Sequence, residues 1–325
     1  MLVVRGRKNV TAALGRPLAR PAVAIGNFDG FHRGHQALIT TARRLAATTA
    51  GDVVALTFDP HPARLLAPAL APPLILSLER RLELLGEAGV DVAVVEPFTR
   101  EFAALEADAF ATEVLAGDLH AAHVVVGYDF SFGKGRRGDT GLLEQLGGRA
   151  GFGVSIVRRI SVHGLTCSST KVREFVLEGR VEGAEILLGR PFELTGTVSR
   201  GAGRGRSIGF PTANLRLEGD LVPKSGIYAA RAHLLPDGTE TAGTEAAATA
   251  PTFACALSVG TNPTFVRDGA LTVEAHLLDF DGDIYGRRLR VVLAQRLRDE
   301  CRFESVEALI GQIRADIAQT RELMA

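Results

Sequence analysis

Through the first half of the chain, short apolar runs alternate with amphipathic stretches. Residues 22–25, 53–58, 90–95, 124–127 and 154–157 are apolar segments of strand length. Between them, residues 36–50, 78–88, 107–115 and 142–146 have helical composition, the second of these with Ser77 placed as N-cap and Glu79 in its first turn. Strands that are apolar throughout are covered on both faces, so the pattern predicts a parallel sheet flanked by helices. Ligands of such sheets bind beyond the carboxyl ends of the strands.

The pattern changes after a helix expected over 181–188, which Gly189 and Pro191 terminate. Strand-like runs then follow one another at 192–198, 227–235, 253–259, 271–280 and 289–297, as in a small antiparallel barrel or sandwich. Ser305 caps a last helix whose Val306, Leu309, Ile310, Ile313 and Ile317 share a face for packing on the barrel. The polar, alanine-rich connection 236–251 is expected to be a mobile surface loop. The expectation is therefore two domains, 1–185 and 186–325, which a length of 325 residues accommodates.

Composition narrows the class of function. Apolar residues make up 46% and the net charge is zero, which argues against a generic nucleic-acid or membrane partner. Cys167, Cys255 and Cys301 are scattered without metal-ligand spacing, as expected in a reducing cytoplasm. The opening MLVVRGRKNV lacks a signal-peptide core and no run reaches membrane-spanning length, so a cytoplasmic protein is expected. Oligomeric state is not legible.

The chemistry concentrates at the predicted strand ends. After the run 22–25 come Gly26, Asn27, Phe28, Asp29, Gly30, Phe31, His32, Arg33, Gly34 and His35, a glycine turn that opens a helix. Free N–H groups and the helix dipole make such a turn an anion site, and imidazoles add hydrogen-bond donors near neutrality. Standing by itself, HxGH is better explained by a glycine-rich turn with two solvated histidines. Phe58, Asp59, Pro60, His61 and Pro62 follow the second run, and VGYDFSFG, containing Asp129, follows the fourth. The basic GKGRRG segment after it is not a P-loop, because Gly135 follows Lys134 where Ser or Thr is needed. Ser168, Ser169, Thr170, Lys171, Val172 and Arg173 enter a helix, where hydroxyls and cations can meet phosphate. His120, His123 and His163 carry no motif and are read as structural.

GNFDGFHRGH resembles the signature of the HxGH nucleotidylyltransferases, and its longer form that of the adenylyltransferase half of bacterial bifunctional riboflavin kinase/FAD synthetases. SSTKVR is similar to the superfamily's SSTxIR segment, with Cys167 before it where an apolar residue is commoner. GAGRGRSIGFPTAN at 201–214 resembles the riboflavin kinase signature, as do NPTF at 262–265, VEAHLLDF at 273–280, and Arg298 and Glu300 with Phe303. The resemblance spans roughly residues 5–320 in the family's order. It implies a Rossmann-like nucleotidylyltransferase domain followed by a β-barrel kinase domain with a C-terminal helix.

The implied reactions are phosphorylation of riboflavin by ATP to FMN, then adenylylation of FMN by ATP to FAD with release of pyrophosphate. By position, His32 and His35 are catalytic in the second reaction and Glu274 is the general base of the first. Gly26, Phe28, Asp29, Gly30, Gly34, Ser168, Ser169, Thr170, Arg173, Gly203, Gly205 and Gly209 would hold ATP and its phosphates. Asn27, Phe58, His61, Pro62, Asp129 and Arg298 would contact flavin, and Thr212 and Asn214 would ligate Mg2+. The implied partners are small molecules, riboflavin, FMN and ATP. Asp279, Asp281 and Asp283 look like the start of a calcium loop, but Ile284 stands where its glycine belongs, so they are read as a hairpin turn. Two rivals are a transferase for another phosphorylated acceptor and a non-catalytic flavin-binding protein. The kinase motifs and FDPHP weigh against the first, and the intact His32, His35, Thr212, Asn214 and Glu274 against the second.

Overall fold

The apolar runs of the first half become strands of one parallel sheet. These are β1 (Leu2–Arg5), β2 (Ala22–Ile25), β3 (Val53–Asp59), β4 (Val92–Pro97), β5 (His123–Gly127) and β6 (Gly153–Val157), in the order β1-β4-β3-β2-β5-β6. A small hairpin follows, β7 (Ser161–Val162) with β8 (Leu165–Thr166). The computed structural model describes residues 1–201, 204–236, 251–261 and 271–325. They fall in two compact units, Met1–Pro72 with Leu78–Ser168, and Pro73–Ser77 with Ser169–Ala325.

Helices α1 (Arg33–Thr49), α2 (Leu78–Glu87) and α3 (Thr140–Ala150) lie where helical composition was expected. The core of this unit is built from Val23, Ile25, Val54, Leu56, Val92, Val94, Val124 and Val126, packed with Phe110, Val114, Leu143 and Leu146. Two features differ from expectation. Residues Phe110–Asp118 are wound as a π-helix after a short turn at Ala107–Ala109. Strand β1 was not foreseen: it pairs with β4 from Leu2↔Val92 to Arg5↔Val95 and buries only Val4, and its apolar run, Leu2 to Val4, is too short for periodicity to mark it as a strand.

The strand order reverses between β2 and β5, because β3, β4 and β1 run outward on one side and β6 on the other. At such a switch point the connections from neighbouring strands run to opposite sides and leave a crevice outside their carboxyl ends. The motifs after β2, β3 and β5 all leave from that edge.

The second unit opens with α4 (Ser169–Leu177) and α5 (Val181–Leu188). Its strands are β9 (Phe192–Ser199), β10 (Ala213–Leu217), β11 (Gly226–Leu234), β12 (Thr252–Thr261), β13 (Leu271–Leu277) and β14 (Arg288–Arg298). They close a barrel in the order β10-β13-β12-β11-β14-β9, antiparallel throughout, with β9 also paired to β10. Closure removes the sheet edges, which settles the choice between barrel and sandwich. Strand β10 was not among the expected strand runs, yet Asn214 faces Glu274 on β13 and Ser199 on β9.

Helix α6 (Val306–Met324) packs on β11, β12 and β14, with the Ser305 hydroxyl accepting the Ala308 N–H at 3.1 Å. The expected apolar stripe needs correction. Val306 is 54% exposed and Leu309, Ile310, Ile313 and Ile317 are half-buried, whereas the buried positions are Asp316 and Thr320. The helix is held there by polar partners as well as apolar contact. Asp279, Asp281 and Asp283 lie in the β13–β14 connection, and Asp279 pairs with Arg321 at 2.6 Å. The hairpin expected there is corrected, because β13 pairs with β10 and β12 and β14 with β11 and β9, so the connection crosses between strands that are not neighbours. Gly203, residues 262–265 and residues 237–250 of the expected surface loop lie outside the described residues.

Candidate active sites

The first site is built on the turn between β2 and α1. The Gly26 N–H donates to the Leu56 carbonyl at 3.1 Å, which continues the sheet into the turn. The turn then bends through left-handed backbone at Phe28 (φ 51) and Phe31 (φ 43). Two phenylalanines in that region cost roughly 1–2 kcal/mol each, a strain held by burial of both rings in the core.

His32 caps α1 by accepting the His35 N–H on Nδ1 at 3.3 Å, a bond that leaves Nε2 to carry the proton in the neutral form of the ring. The two imidazoles stack with centroids 3.8 Å apart and planes 16° apart. Glycine is required between them, because a Cβ at Gly34 would lie 2.9 Å from His32 Cε1. Phe28 meets the His35 ring edge-on at 5.4 Å. His35 Nδ1 is buried without a hydrogen-bond partner, a condition native structures rarely tolerate without a use for it. Burial pushes the His35 pKa well below 6.5, and the charges of His32 and Arg81 push it the same way. Asp29 is buried in the same turn.

Arg81 on α2 was missed by motif reading. Its side chain is 1% exposed, and Nη1 donates to the Asn27 carbonyl at 2.8 Å. A signal was available, since Arg81 shares the apolar face of α2 with Leu78, Leu82 and Leu85 by helical spacing.

Adjacent strand ends supply the remaining candidates. Phe58 ends β3 among Phe98 and Phe102, at 5.7 and 5.8 Å. His61 caps the helix Pro62–Leu66, its Nδ1 accepting the Ala63 N–H at 3.2 Å. Asp129, exposed, follows β5. The structure thus brings the HxGH turn, FDPHP and the Asp129 segment to one edge of the neighbouring strands β3, β2 and β5. Ser168 closes the first unit, whereas Ser169, Thr170 and Arg173 belong to the second. There Arg173 is buried and its Nε donates to the Pro73 carbonyl at 2.7 Å.

The second site lies on the barrel. The Thr212 hydroxyl donates to Glu274 Oε2 at 2.9 Å, and Asn214 is the register partner of Glu274. All three are half-buried. His276, two residues along the same face of β13, bonds through Nδ1 to the Pro211 carbonyl at 2.7 Å, with Phe210 edge-on at 5.9 Å. Gly201 lies against the Asn214 amide so closely that any Cβ would collide with it. Residues Arg204–Ser207 form one helical turn, and Gly209 takes φ 89. Arg298 is tied to Asp316 by Nε at 2.9 Å and Nη2 at 2.7 Å, with Phe303 at 5.9 Å from its guanidinium. Asp316 raises the Arg298 pKa further above the usual arginine range.

Two family models match in tandem: FAD synthetase over residues 17–171 and riboflavin kinase over residues 188–324. The chain is 39% identical over its whole length to the bifunctional riboflavin kinase/FMN adenylyltransferase of Pseudomonas fluorescens, covering 98% of that protein. It is 37% identical to the same enzyme of Escherichia coli strain K12, over 99% of this chain and 97% of that one. The chain belongs to the bifunctional riboflavin kinase/FMN adenylyltransferase family.

Membership of the riboflavin kinase/FMN adenylyltransferase family carries two ATP-dependent activities, phosphorylation of riboflavin and adenylylation of FMN, which together produce FAD. The fold is also similar over its full length to the crystal structure of a macrolide-efflux protein from Streptococcus pneumoniae. The two are 30% identical with a TM-score of 0.81, over 99% of each chain. Among the described residues, no helix is long and apolar enough to cross a membrane.

Proposed function

We propose that the two reactions are divided between the two sites, adenylyl transfer at the HxGH turn and riboflavin phosphorylation at the Thr212–Glu274 cluster. In this reading the chain divides near residue 186, which the gap between the two family matches, 17–171 and 188–324, supports, although the compact units part between Ser168 and Ser169. The observation that carries the kinase assignment is the 2.9 Å bond between Thr212 and Glu274, with Asn214 across from the same glutamate. It supports a base and two neutral oxygen ligands gathered at one place.

In phosphorylation, Glu274 takes the proton of the ribityl 5′-hydroxyl as that oxygen attacks the γ-phosphorus. Gly203, Gly205 and Gly209 let backbone amides approach the phosphates, and Arg298 lies toward the flavin. Thr212 Oγ and the Asn214 side chain would hold Mg2+. A site with two neutral oxygen ligands fits a hard ion that keeps phosphate and water as its other ligands, and no cluster of three acidic, histidine or cysteine side chains among the described residues offers a full protein cage. When bound, the ion neutralises charge on the transferring phosphates.

In adenylyl transfer, the FMN phosphate attacks the α-phosphorus of ATP and pyrophosphate departs. Charge grows on the phosphate oxygens, so fixed donors matter more than a protein nucleophile. His32 and His35 supply imidazole donors. Gly26, Phe28, Asp29, Gly30 and Gly34 shape the turn around ATP, and Ser168, Ser169, Thr170 and Arg173 bind its phosphates. Asn27, Phe58, His61, Pro62 and Asp129 form the flavin side. The setting is the cytoplasm, where riboflavin, FMN and ATP meet the enzyme, and neither nucleic acid nor membrane is a partner.

The test is the full chain incubated with riboflavin, ATP and Mg2+, the flavins being resolved by chromatography. FMN and then FAD are expected. A Glu274→Ala chain should make FAD only from supplied FMN. If it phosphorylates riboflavin at the normal rate, the general-base assignment is wrong.

A further inference from the structure

We propose that Arg81 is a positioning residue for adenylyl transfer, holding the Gly26–Gly34 turn in shape through Asn27 and placing a permanent positive charge beneath it. The inference rests on the assignment of that reaction to the HxGH turn.

Three observations support it. The first is the bond itself, 2.8 Å from Nη1 to the Asn27 carbonyl, which joins α2 to the turn ahead of the strained Phe28. Asn27 and Arg81 are far apart in sequence, so the contact fixes tertiary geometry that local propensity cannot supply. The second is burial. A guanidinium with 1% exposure is costly, and Nε, also buried, has no hydrogen-bond partner. Leucine at this position would complete the apolar face of α2 at no such cost, so stability of the helix does not account for arginine here. The third is the charge environment. Around Arg81 stand Asp29, Asp59 and Glu79, which favour its charge, and Arg64, which opposes it; burial outweighs them and lowers its pKa. The charges acting on His35 are His32 and Arg81.

The consequence is a division of roles within the turn. Arg81 stays charged through the physiological range, and its field together with burial keeps the His35 ring neutral there. A neutral imidazole in a fixed orientation donates one hydrogen bond to a phosphate oxygen without adding a mobile proton to the site. Arg81 acts through Asn27 and His35 and needs no contact with substrate.

The experiment compares full-length wild type, Arg81→Gln and Arg81→Lys. It measures FMN adenylylation at several pH values, riboflavin phosphorylation, and thermal unfolding. Glutamine removes the charge and, ending about where Nε stands, also withdraws the donor from the Asn27 carbonyl, whereas lysine keeps the charge. The kcat for FAD formation in Arg81→Gln should fall about tenfold or more, with the KM for ATP little changed and phosphorylation intact. Loss of a positive neighbour raises the His35 pKa, so the acid limb of the FAD-forming rate should move to higher pH in Arg81→Gln and return toward the wild-type position in Arg81→Lys. Equal rates and an unmoved limb in Arg81→Gln overturn the inference. So does a loss of rate that merely follows a lowered unfolding temperature with the limb in place. If Arg81→Gln does not fold, the limb of Arg81→Lys decides: at the wild-type position with a reduced kcat it supports the role, and with wild-type kcat it rejects dependence on the bond to Asn27. Failure of the wild type to form FAD would instead reject the assignment of the reaction.

Discussion

The Thr212 hydroxyl spends its proton on Glu274 Oε2, 2.9 Å away, so the oxygen lone pairs of Thr212 remain available to a ligand while Glu274 is held in one rotamer. Removing either partner should therefore impair the same reaction by different routes.

For Glu274→Gln, loss of a positioned base should lower riboflavin phosphorylation by about 10²–10⁴-fold. Thr212→Val keeps the shape and removes the hydroxyl, so its effect should include a raised Mg2+ requirement. Rates of FMN formation against Mg2+ concentration separate the two variants. Both should convert supplied FMN to FAD at the wild-type rate.

The stacked imidazoles 3.8 Å apart give the converse result. In the double variant His32→Ala with His35→Ala, two donors to developing phosphate charge are lost, and FAD formation should fall by about 10³-fold or more. FMN should then accumulate from riboflavin. Chromatography that still shows FAD at the normal rate would remove both histidines from the reaction.

Arg298 and Asp316 predict a stability effect. Asp316 is buried and receives Arg298 at 2.7 Å and Gln312 at 2.9 Å. Asp316→Ala strands the guanidinium, and should cost about 2–4 kcal/mol, seen as a lower denaturant midpoint for loss of riboflavin phosphorylation. Asp316→Asn, which still accepts a hydrogen bond, should cost less.

Asp52 sets a pH dependence in the first unit. Its carboxylate accepts from Arg16 at 2.7 and 2.8 Å and from the Ala19 N–H at 2.7 Å, and the Arg16 bond chiefly lowers its pKa. A depressed folded pKa contributes stability that is present above the ordinary aspartate value, about 4, and is lost as pH falls through the folded value. Because the Arg16 side chain is 50% exposed, the contribution is discounted to about 1 kcal/mol. Thermal melts of Asp52→Asn should lie below wild type at pH 7 and converge with it in acid.

Much of the molecule was legible as pattern. Five of the parallel strands follow continuous apolar runs, and the helix Val181–Leu188 falls where Gly189 and Pro191 required its end. The elements that escaped are those whose stabilisation comes from a distant partner. Strand β1 needs the exposed edge of β4, and β10 takes its extended form from β9 and β13 rather than from Pro211 or Asn214. On α6, an Asp and a Thr occupy the buried positions because Arg298 satisfies the one and the Asp316 carbonyl, 2.8 Å from its hydroxyl, the other.

The order of residues by itself determined the two-part architecture and the family, and nominated the candidate reacting groups, since periodicity and close-spaced motifs are local properties of a chain. Tertiary structure decided which carbonyl Arg81 grips, which strand faces Glu274, that the histidines stack, and that the barrel closes. Those depend on groups brought together from far along the chain, where packing, burial and charge set the outcome and no short stretch records it.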